Sequence, residues 1–156
     1  MNNKPLIEYI NRYTILTPNE INLLLENITH RKYLKGQYIV QQGDICRFES
    51  FVIKGCLKTF FVDNDGQEHV VLFAIENWWT ADLGSFLTQK PAVYNVQCIE
   101  NTEVIQFSFE KMEELLDTYL KGADEVPVSV GLTLPKLKKK SKTEPKINLP
   151  KLKKVK

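Results

Sequence analysis

The stretch FVIKGCLKTFFVDNDGQEHVVLFA, residues 51–74, decides the fold class. Phe51–Ile53 and Leu57–Val62 are short runs rich in aromatic and β-branched residues, split by Lys54-Gly55. The second run ends at Asp63-Asn64-Asp65-Gly66. An Asp-Gly step between apolar runs signals a hairpin, because both residues tolerate positive φ. His69–Ile75 is then the return strand.

The same period of two extends outward. Tyr38 and Val40 alternate with polar neighbours before a turn at Gly43-Asp44. Val93–Ile99 and Glu103–Phe107 read as a further pair of strands around Glu100-Asn101. Short strands parted by turns at near-regular intervals indicate a β-sandwich or barrel. Helices flank it. Thr17 as N-cap, Pro18 at the first helical position and Glu20 closing a capping box open a helix over 18–29, with Ile21, Leu24, Leu25 and Ile28 on one face. Leu6, Ile7, Ile10 and Tyr13 give an earlier helix over 4–13. Ser108 caps a last one carrying Met112, Leu115, Leu116 and Tyr119.

Composition bounds the classes. A chain of 156 residues, 43% apolar and 26% charged, suits one domain with a short appendage. No apolar run approaches the roughly 18 residues of a membrane span, and the opening MNNKPLIEYINRY lacks the apolar stretch of a signal peptide. Cys46, Cys56 and Cys98 are odd in number and form no CxxC pair, which fits a reduced cytoplasmic protein. Charge divides the chain. Residues 1–120 carry 10 Lys/Arg against 16 Asp/Glu, whereas 121–156 carry 11 Lys against 3 acids. An acidic domain, 1–120, therefore precedes a basic tail, 121–156.

The series LKGQYIVQQGD (34–44), residues 51–74, WWTADLGSFLTQKP (78–91) and TEVIQFSFEKMEELL (102–116) resembles the sensory domain of Crp/Fnr-type regulators, in a form common among those of the Bacteroidetes kind. Gly36, Gly43, Gly55 and Gly66 stand at the family's turn positions. The resemblance implies a mainly β fold: a double-stranded β-helix, or jelly roll, of the cyclic-nucleotide-binding type with flanking N- and C-terminal α-helices. It also implies a phosphate cassette of the form Gly-Glu-Leu, a short helix, then Arg-Ser/Thr-Ala, whose Glu holds the ribose and whose Arg and hydroxyl hold the cyclic phosphate. Ala81-Asp82-Leu83 falls on its first part, with Gly replaced by Ala and Glu shortened to Asp. Ala92 falls on the arginine, Val93 on the hydroxyl and Tyr94 on the small residue.

A buried phosphodiester needs charge-assisted, preferably bidentate donors, and the guanidinium fork supplies them. The arginines are Arg12, Arg31 and Arg47, none of them in or after the cassette. Lys90 is near as a point charge but is expected to face solvent, and the amides following Asp82 offer a weaker anion attraction. The cassette thus reads as degenerate for cAMP. Another small anionic effector stays open.

Other chemistry finds less support. A cupin-type metalloenzyme would draw on clustered histidines, but the chain has only His30, read as preceding the first strand, and His69 on the return strand. No metal site, nucleophile motif, Walker loop or dinucleotide fingerprint appears, so no catalytic residue is assigned. Cys56 and Cys98 read as core residues within strands. Of Trp78 and Trp79, one reads as core and the other as a cap on the edge of the roll.

In the tail, Val126, Val128, Val130, Leu132 and Leu134 alternate as a strand would. LPKLKK occurs at 134–139 and again at 149–154. Gly122, Pro127, Gly131 and Pro135 interrupt the long dimerisation helix the family would place here, and 36 residues are few for that helix plus a helix-turn-helix. Lys136, Lys138, Lys139, Lys140, Lys151, Lys153 and Lys154 offer phosphate attraction without base readout, because the stretch lacks arginine and aromatic residues. A solvated lysine tail is the other reading.

The leading expectation is a non-enzymatic, effector-sensing regulatory domain. The alternative is a low-specificity nucleic-acid-binding protein working through its lysines. The partners open to it are a small-molecule effector, nucleic acid at the tail and a second copy of the chain, with no membrane.

Overall fold

The computed structural model describes residues 2–114. Helix α1, Lys4–Ile10, starts with Pro5 in its first turn. It ends before the expected Tyr13 because the Arg12 and Tyr13 amides donate to carbonyls three residues back, turning the chain out of the helix. Helix α2, Pro18–Glu26, has the expected capping box: Thr17 Oγ1 accepts from the Glu20 amide and the Glu20 carboxylate accepts from the Thr17 amide. It stops three residues short of 29. The Asn27 side chain donates to the Leu23 carbonyl at 2.7 Å, and Ile28 already begins a strand.

That strand, β1 (Ile28–Tyr33), went unread in the sequence. It contains His30, which does not precede the first strand but lies inside it. Next come β2 (Tyr38–Val40), β3 (Phe48–Lys54), β4 (Leu57–Val62), β5 (Glu68–Ala74), β6 (Trp79–Thr80), helix α3 (Leu83–Thr88), β7 (Asn95–Cys98) and β8 (Thr102–Ser108). A helical stretch, 109–114, follows, and Ser108 Oγ accepts from the Lys111 amide as its cap. Leu115, Leu116 and Tyr119 lie outside the described residues.

The strands form two antiparallel four-stranded sheets, β1-β8-β3-β6 and β2-β7-β4-β5. The expected pair around Glu100-Asn101 is corrected here: β7 joins β2 and β4, while β8 joins β1 and β3. The corner at 99–101 carries the chain from one sheet to the other. Gly55 packs against that corner with φ 100°. An added Cβ would stand 2.7 Å from Thr102 Oγ1 and 2.8 Å from the Asn101 carbonyl oxygen, so only glycine fits. Cys56, next to it, is half-buried in the turn rather than in a strand, whereas Cys98 ends β7 and is buried.

The β4–β5 hairpin is present, built differently from the simple Asp-Gly reading. Gly66 has positive φ and Asp65 does not. Asp63 does the shaping, its Oδ1 accepting from the Asp65 and Gln67 amides at 2.9 Å each.

Between the sheets lies a core that includes Val40, Val52, Leu57, Phe86, Val96, Cys98 and Val104. Because strand side chains alternate, the neighbours Phe51 and Ile105 point to the other face, where Leu6 covers them. Tyr9 packs edge-on to Phe51 there at 5.3 Å between ring centroids, and Trp79 packs tilted against it at 5.1 Å. Trp79 is therefore the core tryptophan and Trp78 the exposed one. Each such buried side chain contributes roughly 1.5–3 kcal/mol.

Candidate functional site at Asp82 and the loop after helix α3

The segment from Ala81 to Tyr94 folds as a short helix and a return loop against the inter-sheet core. Asp82 is the N-cap of α3. Its Oδ1 accepts from the Ser85 amide at 2.8 Å, which fixes the first turn. Gln89 ends the helix with φ 53°, and its side-chain amide donates to the Phe86 and Cys46 carbonyls. Ser85 ties the segment further, accepting from the Cys46 amide at 2.9 Å and donating to the Lys90 carbonyl.

The other carboxylate oxygen of Asp82 crosses to the loop. Oδ2 accepts from the Val93 amide at 2.7 Å and from the Tyr94 amide at 2.9 Å. Asp82 is only 3% exposed, so these three amide contacts are its environment. Bonds from N–H groups to an ionised carboxylate are the stronger, charge-assisted kind. The loop is also anchored to the β2–β3 connection. The Ala92 amide donates to the Asp44 carbonyl at 2.7 Å, and the Gly43 amide to the Ala92 carbonyl at 2.8 Å.

The candidate residues thus separate. Ala81 is half-buried against the core, and Ala92, at the expected arginine position, is 4% exposed inside it. Leu83 and Val93 turn outward, Val93 60% exposed. Lys90 is exposed, and the structure brings its carbonyl, not its ammonium, into the segment. Arg31 is on β1 and Arg47 is exposed just before β3, and among the described residues neither side chain hydrogen-bonds to the stretch 81–94. Of the amides after Asp82, that of Ser85 donates to Asp82 itself.

Sequence reading missed two features. An Asp three residues before a Ser is a visible capping signal, but the bonds to Val93 and Tyr94 span eleven and twelve residues and leave no local trace. Tyr94 also meets the Phe61 ring edge-on at 6.3 Å, and Phe61 stacks on His69 at 4.8 Å. His69 Nε2 lies 2.6 Å from Asp63 Oδ2, and this contact, with the Gln67 amide, holds the Asp63 carboxyl below its usual range. His30 instead meets Asn3 at 2.6 Å. Among the described residues no three His, Cys, Asp or Glu side chains gather as a metal site, and no helix is long and apolar enough to cross a membrane. The buried Cys46 thiol is pushed up by burial and sits 3.3 Å from the Phe48 carbonyl, which favours the unreactive thiol. The tail lysines, from Lys136 to Lys154, lie outside the described residues.

Two antiparallel sheets with a short helix and its return loop define a β-roll. Residues 30–119 match the cyclic nucleotide-binding domain, and the chain belongs to that family. Within it, the relation is to Crp/Fnr-type regulators. The transcriptional activator protein Anr of Pseudomonas aeruginosa is 29% identical over 101 residues, covering 64% of this chain and 41% of that protein. The chain therefore spans about two fifths of that relative's length. The sensor domain of the transcriptional regulator DNR from the same species superimposes with a TM-score of 0.60 at 19% identity, over 81% of this chain and 94% of that one. A regulatory subunit of a cAMP-independent protein kinase A from Trypanosoma brucei, as a three-substitution variant bound to cAMP, gives 0.59 at 19% identity, over 78% and 44%. These two likenesses bear on fold.

Proposed function

We propose that this domain is the sensory module of a transcription regulator whose phosphate cassette is closed from within and does not take cyclic nucleotides. One observation carries the reading. The Asp82 carboxylate accepts from the Val93 and Tyr94 amides, in the loop where the family's arginine and hydroxyl would meet a phosphate. An incoming phosphate would face a carboxylate already placed there, and two like charges at contact repel. With Ala92 packed in the core and Lys90 exposed, no cation among the described residues 81–94 offsets that repulsion.

The Trypanosoma brucei subunit supports separating this fold from cyclic-nucleotide binding: it is described as cAMP-independent, and a substituted form of it holds cAMP. The reading includes no catalysis and leaves another small effector open. Millimolar cAMP or cGMP should leave the melting temperature unchanged; a rise of several degrees would overturn the closed cassette.

A second reading rests on charge. Residues 121–156 carry 11 Lys against 3 acids, and they act as a sequence-independent contact for nucleic acid beside the acidic domain 1–120.

A further inference from the structure

A cleft of about 610 Å³ opens where β1 and β2, the first strands of the two sheets, face each other. None of its described lining residues lies between 81 and 94, and it touches the Asp82 segment only through Asp44, whose carbonyl accepts from the Ala92 amide at 2.7 Å. Arg31 and Tyr33 alternate onto the same side of β1, and both line it. Tyr38 and Phe48 supply further ring surface. At its base Gln106 is 2% exposed, its Nε2 donating to Ser50 Oγ at 3.0 Å, while the Tyr33 hydroxyl reaches Gln106 Oε1 at 3.4 Å.

Of the two cations on the lining, Arg31 and Lys32, one is uncommitted. Lys32 pairs with Glu103 at 2.8 Å, but Arg31 forms no ion pair among the described residues. Asp44, on the rim, likewise has no ion-pair partner among them. A guanidinium fork matches a carboxylate in plane and in spacing. Aromatic walls favour a flat ring. The volume falls in the ordinary range of small-molecule sites, about 300–1,000 Å³.

We infer that this cleft is a second ligand site, for a small aromatic monocarboxylate. Arg31 takes the carboxylate, and Tyr33, Tyr38 and Phe48 bracket the ring. Asp44 sets the charge limit: with the Lys32 charge met by Glu103, one negative charge is balanced by Arg31, while a phosphate dianion would meet Asp44 uncompensated.

The test is an amide NMR titration of the full chain with sodium benzoate as probe. Saturable shifts are expected at Arg31, Tyr33, Tyr38 and Gln106, and inorganic phosphate should not reproduce them. Arg31→Gln should weaken benzoate binding about tenfold or more. Arg31 is exposed, so the variant should fold, and its free spectrum reports whether it has. The inference is overturned if no saturable shift appears, or if folded Arg31→Gln binds as tightly as the parent. Shifts centred on Val93 and Tyr94 would overturn it too, and would count against the closed cassette as well. Loss of the closed cassette by cAMP binding alone would leave this site untouched.

Discussion

The Asp82 carboxylate lies 2.7 Å from the Val93 amide nitrogen, eleven residues along the chain, and so joins the start of α3 to the loop that follows it. Its two oxygens accept from three amides in all. Asp82→Ala would remove every one of these acceptors in a buried setting, at roughly 1–3 kcal/mol for each donor left without a partner, partly relieved where water enters. A net loss of about 2–4 kcal/mol is expected in urea unfolding. Asp82→Asn, keeping one acceptor oxygen, should lose less. If Asp82→Ala unfolds at the parental midpoint, these bonds do not hold the loop.

Restoring the family's arginine at its aligned position should fail, which separates alignment from geometry. Ala92 is 4% exposed and belongs to the inter-sheet core. Ala92→Arg would bury a guanidinium with no carboxylate within its own loop except Asp82, whose oxygens are already occupied. A stability loss of about 2–4 kcal/mol and no cAMP binding are expected, read by denaturant melts and calorimetry. Val93→Arg, at an exposed position, should stay within about 0.5 kcal/mol of the parent. A stable Ala92→Arg protein that binds cAMP would show that the loop can reopen.

Much of this was legible in the residues, and the failures have physical causes. The β4–β5 hairpin could be read because its strands are neighbours in sequence and Asp63 and Gly66 shape the turn locally. The capping box at Thr17 and the cap at Ser108 are local in the same way. Strand β1, ITHRKY, escaped notice because it pairs on one side only, with β8, and its exposed side is polar. The β7–β8 corner looked like a hairpin because sequence shows a turn but not which sheet each strand joins. At the cassette, the loss of arginine and hydroxyl was visible. What replaced them was not, because Asp82 reads as a weakened ligand residue until its oxygens are seen on the loop amides.

Glu49 provides a pH test. It lies on β3, and among the described residues no hydrogen bond or ion pair reaches its carboxylate. Burial raises its pKa above the ordinary 4.5. A folded pKa above the unfolded one means that the folded state binds the proton more tightly. The associated stability is present in full below pH 4.5 and is lost as pH rises through the folded value. At neutral pH the desolvated charge therefore opposes folding. Glu49→Gln should raise stability at pH 7, and the gain should shrink towards zero below pH 4.5. A gain that does not change with pH would assign the effect to packing instead.

The lysines of residues 121–156 lead to the last expectation. Counterion release makes phosphate contacts salt-dependent, with log affinity falling almost in proportion to the number of contacts. The stretch has 11 Lys, no arginine and no aromatic residue, so affinity without base readout is all it can supply. Binding to a duplex should fall steeply between roughly 50 and 200 mM salt, be equal for unrelated sequences, and vanish on deletion of residues 132–156. Residues 1–120, with 16 acids against 10 bases, should repel the duplex on their own. Sequence-selective binding that survives the deletion would place the nucleic-acid contact on the β-roll and refute the tail reading.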